Sequence, residues 1–143
     1  MLEVSGSALS AERLRAEVVA ANIANAESTH TPEGGAFRRK EVVFSTSSPS
    51  SFQMLLTGGL HHLPQKAAGM VRITKVVEDK TPPVMRYEPG HPDANKDGYV
   101  AYPAINPVEE MVDLMGAVRA YQLNASAVNA SKQMIQQSLD ILK

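Results

Sequence analysis

Apolar positions recur along the last third of the chain at steps of alternately three and four residues. From Met111 they fall on Leu114, Val118, Tyr121, Ala125, Val128, Lys132, Ile135, Leu139 and Leu142, and only Lys132 breaks the apolar character. A heptad repeat sustained this far predicts one long helix that supercoils against a partner helix. Its start is marked as well: Asn106 is a capping residue, Pro107 suits the first helical position, and Glu109 stands where a capping-box acid reaches back. Acidic Glu109, Glu110 and Asp113 near one end and Lys143 at the other fit the helix dipole. At about 1.5 Å per residue, roughly 36 residues span on the order of 54 Å, more than a compact domain of this size needs.

A weaker register of the same kind occupies the amino end. Leu2, Leu9, Ala16, Val19, Ile23 and Ala26 fall on it, with Ser5 and Glu12 as interruptions. Ser7 or Ser10 is a candidate cap for a late start, and Thr31-Pro32 followed by Gly34-Gly35 should stop the helix after about Glu27. Asn22 and Asn25, three apart on one face, have mediocre helix propensity. Either they mark a fraying end, or their amides bond the backbone of the following turn or a neighbouring subunit and fix how the helix leaves its bundle.

Between the helices the apolar spacing changes. Ala36 to Phe44, Met70 to Glu78, Val84 to Tyr87 and Tyr99 to Tyr102 are rich in Val, Ile, Phe and Tyr and bounded by Pro, Gly and Ser, which predicts short strands. Residues 45–69, with STSSPSS and TGGLHHLPQKAAG, read as mobile loops. The expected organisation is α+β: an amino-terminal helix over 1–30 and a long carboxy-terminal helix over 105–143 form an antiparallel coiled coil, with a small β-rich insert over 31–104 between them. The two helices differ in length, so part of the longer seam should stay bare unless neighbouring subunits, or the insert folding back, cover it.

Composition agrees with helix-on-helix packing. The chain has 143 residues, 43% hydrophobic, yet no Trp, three Phe and four Tyr, so small and branched aliphatic side chains must do the packing. A net charge of -1 gives no broad footprint for nucleic acid, and the one basic run, Arg38-Arg39-Lys40, reads as a solvated edge. Without cysteine there is no disulfide scaffold, thiol nucleophile or thiolate metal site. No apolar run approaches the roughly 20 residues that span a bilayer, and no cleavable signal peptide opens the chain.

Candidate chemistry is sparse. Asp93, Asn95 and Asp97 followed by Gly98 imitate the start of a calcium loop, but the position of the decisive bidentate acid is held by Ala104, so a turn built by side-chain bonds and a positive φ at Gly98 is expected. His30, His61, His62 and His91 lack a zinc spacing, and no nucleophile elbow or phosphate loop occurs. These patterns give no metal, cofactor or catalytic residue, and they leave a soluble coiled-coil adaptor of fixed stoichiometry as the alternative to a polymer.

One resemblance joins these features. Ala21-Asn22-Ile23-Ala24-Asn25-Ala26-Glu27-Ser28-Thr29 resembles the asparagine-rich signature near the amino terminus of bacterial flagellar rod and hook proteins. Thr31-Pro32-Glu33-Gly34-Gly35 with the residues through Lys40, then Gly90 to Val100, then Asn106-Pro107-Val108-Glu109-Glu110 follow in the order of a basal-body rod subunit of that family. His30 stands where the pattern commonly has Arg, and the lead before Val4-Ser5-Gly6-Ser7 is shorter than usual. The resemblance implies a structural subunit of the proximal rod, exported by the flagellar type III apparatus without a cleaved peptide. Its expected partners are copies of itself and other rod proteins, with the terminal helices forming the inner coiled coil around the channel.

Overall fold

In a computed structural model, which describes residues 2–46 and 70–141, the chain opens with helix α1 (Leu2–Ala24). Two antiparallel ribbons follow, β1 (Lys40–Thr46) with β2 (Val71–Glu78), and β3 (Val84–Tyr87) with β4 (Tyr99–Tyr102). The described chain ends in helix α2 (Pro107–Ile141), which lies antiparallel against α1. Two helices with a small antiparallel insert between them make the fold α+β, as the apolar spacing predicts.

The helix ends follow from local chemistry. Asn106 caps α2: its side-chain oxygen accepts from the Val108 amide at 3.1 Å, and its carbonyl accepts from the Glu110 amide at 3.1 Å. Glu109 is exposed, and no hydrogen bond returns from it to Asn106 among the described residues, so only half of the expected capping box forms. Neither Ser7 nor Ser10 caps α1. Already inside the helix, they donate back to the carbonyls of Val4 and Gly6 at 2.8 and 3.2 Å. At the far end the bonds tighten from Asn25 N–H to Ala21 to Ala26 N–H to Ile23, and the chain turns at Thr31, whose amide donates to the Gly35 carbonyl at 2.9 Å. Gly34 and Gly35 sit at φ 92° and 81°, which explains two glycines in succession.

β1 begins at Lys40, four residues after the expected start, because residues 36 to 39 are occupied in leaving the turn; it then continues through Ser45 and Thr46, paired with Arg72 and Val71. A register shift at Val43/Phe44 bends this ribbon. The rest of the anticipated loop, with His61 and His62, lies outside the described residues, as do Leu142 and Lys143. The Ser7 hydroxyl accepts from the Val71 amide at 3.2 Å and so ties β2 to α1.

Little is fully buried. Among the described residues the buried side chains are Ala11, Val19, Val100, Pro103 and Ala117, alongside two polar ones, Asn22 and Glu110, at 1% exposure each. A ribbon of two strands is marginally stable alone. Its placement here depends on contacts with α1 and on the polar junction described next.

Candidate assembly site

Asn22 sits in the last turn of α1 and uses its amide on two partners. The side-chain N–H groups donate to the Lys40 carbonyl at 2.9 Å and to Glu110 Oε2 at 3.0 Å, and Oδ1 accepts from the Lys40 amide at 2.9 Å. The amide therefore pairs with the first residue of β1 as a neighbouring strand would, and fixes where the ribbon leaves the helix. Asn25 acts more locally, donating to the Ala21 carbonyl at 2.8 Å and accepting from the Ser28 hydroxyl at 3.1 Å, which closes the helix end. Asn22 thus bonds the start of β1 and a carboxylate of α2, neither of them the turn that follows the helix, while Asn25 bonds its own helix and the Ser28 side chain.

Glu110, on the first turn of α2, completes the junction. Its side chain is 2% exposed and accepts from Arg39 Nε at 2.5 Å. Arg39 also reaches Glu41, and lies 3.7 Å from Asp113, which Arg15 approaches to 3.8 Å. The hydrogen bond to Glu110 raises the guanidinium pKa above its ordinary value, against the opposing effect of partial burial, with the charges of Glu110, Glu41 and Asp113 adding to the rise. Helix end, strand start and helix start are locked at one point, beside an open cleft of about 330 Å³.

Two expectations change here. The basic run is not a uniform solvated edge, since Arg38 is exposed while Arg39 turns inward to a carboxylate. Glu110 is not merely a dipole-matched acid beside Glu109; it is the buried anion of the junction. Its signal was its phase, because Glu110 lies seven residues before the fully buried Ala117 on the packed face of α2.

The anticipated seam residues lie beside the face that closes the hairpin. The α1 contact uses Ala11, Val19 and Asn22 against Glu110 and Ala117, while Leu9, Ile23, Leu114, Ala125 and Val128 are half-buried. Met111, Val118, Tyr121, Ile135 and Leu139 are 52, 43, 43, 51 and 58% exposed. Ala24, Pro32, Gly34, Gly35, Asn106 and Pro107 are exposed at turns and helix ends. In the Asp93 loop, Asn95 Oδ1 accepts from the amides of Asp97 and Tyr99 at 2.9 Å, and Gly98 has φ 81°, so the oxygens shape a turn.

Comparison with known proteins places this architecture. The model described as "Flagella basal body rod protein" matches residues 2–30, and the one described as "Flagellar basal body rod FlgEFG protein C-terminal" matches residues 96–141. Flagellar basal-body rod protein FlgC of Borreliella burgdorferi is 37% identical, over 99% of this chain and 95% of that protein. FlgC of Bacillus subtilis is 38% identical over 99% and 96% of the respective chains, and FlgC of Salmonella typhimurium 36% over 99% and 95%. The chain belongs to the FlgC family of flagellar basal-body rod proteins. It is a structural subunit of the flagellar basal body, and the soluble adaptor is not favoured. The two matched segments contain α1 and α2, and the junction of Asn22, Arg39 and Glu110 joins both of them to the start of β1. Among the described residues no helix is long and apolar enough to cross a membrane.

Proposed function

We propose that this FlgC-family subunit polymerises through the exposed flanks of α1 and α2, with copies of itself and with other rod proteins, into the periplasmic section of the rod. The observation that carries this reading is the imbalance of α2: residues 132–141 extend past the half-buried stretch with nearly every side chain exposed, Ile135 and Leu139 included. Bare apolar surface of this length favours association, and burying one such side chain contributes about 1.5 to 3 kcal/mol when complete. Repeated head-to-tail contacts that do not close give an open helical tube. Torque then passes through the packed lattice, and the terminal helices line the export channel. The junction keeps the insert at a fixed angle to the helices, so lateral contacts recur identically along the lattice. The subunit reaches its place through the flagellar type III apparatus without a cleaved peptide.

The test is to purify basal bodies from cells carrying a tagged chain and locate the tag by labelling. Signal in the rod between the inner-membrane base and the hook supports the reading, and intact basal bodies without the tag overturn it.

A further inference from the structure

The loop over 88–98, which joins β3 to β4, is tied to the exit of α1 through a single side chain. The Thr29 hydroxyl donates to Asp93 Oδ2 at 2.7 Å, and among the described residues no other hydrogen bond links this loop to residues 25–37. Asp93 is also the partner of half-buried His91. Its backbone N–H donates to His91 Nδ1 at 3.1 Å, and its carboxylate Oδ2 lies 3.9 Å from the same nitrogen. The imidazole is held in position. The His91 amide donates to the Glu88 carbonyl at 3.1 Å, its carbonyl accepts from the Ala94 amide at 3.0 Å, and its ring stands edge-on to Tyr102 with centroids 6.4 Å apart.

Two arrangements at Nδ1 exclude one another. A neutral imidazole with its lone pair on Nδ1 accepts from the Asp93 amide and leaves the carboxylate to Thr29. An imidazolium carries a proton on both ring nitrogens, so Nδ1 no longer accepts and two N–H groups oppose each other. The new donor then turns to the nearest acceptor, Asp93 Oδ2, which is the oxygen that Thr29 holds. Histidine is the side chain whose charge ordinarily changes between about pH 5 and 8. Other charges reach the site through Tyr102: Arg86 of β3 lies 4.6 Å from the centre of that ring, Glu88 accepts from its hydroxyl at 3.0 Å, and Glu27 at the end of α1 acts on the same phenol. Asp93, Glu88 and Glu27 favour a cation at His91, and Arg86 across the ring opposes it.

We propose that His91 and Asp93 form a proton-operated tether between the β3–β4 loop and the exit of α1. With His91 neutral, Asp93 is held by Thr29 and the loop is fastened to the helix end. When His91 takes a proton from solvent, the Asp93 carboxylate moves to the imidazolium, the bond from Thr29 is given up, and the loop is released from α1. The switch acts within one subunit, so it holds or fails independently of the rod reading above.

Amide hydrogen exchange of the full chain, measured by nuclear magnetic resonance at about pH 5 and about pH 7.5 and referred each time to the intrinsic rate, reads both sides of the tether. On the loop side the reporter is the Asp93 amide; on the helix side it is the Phe37 amide, which donates to the Ser28 carbonyl at 3.0 Å. Protection of both is expected to fall at least about threefold at the lower pH, the equilibrium factor of one modest hydrogen bond. His91→Asn keeps a side-chain acceptor for the amide two residues on but takes up no proton, and neither reporter should respond to pH. Thr29→Val removes the donor to Asp93, so the Asp93 amide should still respond while Phe37 does not. Equal protection of Phe37 at both pH values in the parent, a fall that persists in His91→Asn, or a Phe37 response that survives Thr29→Val each overturns the tether.

Discussion

Arg39→Ala removes the principal cation from a carboxylate that is 2% exposed, and so tests what holds the insert to the helices. Breaking a buried ion pair by deleting one partner costs about 3–5 kcal/mol, because the remaining charge stays desolvated. Two features of the junction reduce that figure. Arg39 is itself 27% exposed beside an open cleft of about 330 Å³, through which water reaches the vacated position, and Asn22 still donates to Glu110 at 3.0 Å. A loss of about 2–3 kcal/mol is therefore expected, a large part of the stability of a marginal subunit. Removing the charge while keeping an acceptor for Asn22 should recover most of it: Arg39→Met with Glu110→Gln leaves two uncharged side chains, the Gln oxygen still accepting from Asn22, and is expected within about 1 kcal/mol of the parent. Urea unfolding of the isolated subunit, followed by circular dichroism, measures all three. A change below about 0.5 kcal/mol for Arg39→Ala, or a double variant no better than the single one, refutes the claim that the junction is held by a buried charge pair.

Asn22→Ala leaves the Lys40 backbone and Glu110 without three hydrogen bonds and should cost about 1–3 kcal/mol in the same assay, with hydrogen exchange rising first at the start of β1. Ile135→Asp and Leu139→Asp, on the exposed overhang, are expected to leave that curve within about 0.5 kcal/mol and to abolish motility; normal swarming by both argues against helix-mediated assembly. Gly98→Ala forces a side chain into φ 81° with its Cβ 2.9 Å from the Tyr87 ring, so a loss of about 1–2 kcal/mol and a weaker Tyr87–Tyr99 near-ultraviolet signal are expected. The Tyr102 hydroxyl donates to Glu88 at 3.0 Å, and this bond raises the phenol's pKa. Stability from it is complete below the ordinary phenol value near 10 and is lost as pH rises through the higher folded value, so alkaline titration should loosen the β3–β4 ribbon in the parent and show a smaller pH effect in Tyr102→Phe.

Periodicity, capping and turn residues acted locally, and therefore were legible in the chain. The 3.5-residue repeat marked α2, Asn106-Pro107 placed its start, and Gly34-Gly35 ended the turn after α1, each because backbone geometry at that point depends on neighbours a few residues away. The strands Val84–Tyr87 and Tyr99–Tyr102 matched their expected limits for the same reason. Order of motifs along the chain was enough to indicate the flagellar family.

Which flank of each helix would close the hairpin was decided by tertiary structure. An apolar repeat names a stripe, but α2 carries apolar side chains on more than one flank, and the face that packs on α1 is centred on Ala117 and includes a glutamate. The inward turn of Arg39 was equally hidden, because in sequence it is one of three adjacent basic residues and its partner Glu110 is 71 positions away. A buried charge is tolerated only where a partner arrives from elsewhere in the fold, so its role exists only once α1, β1 and α2 have met.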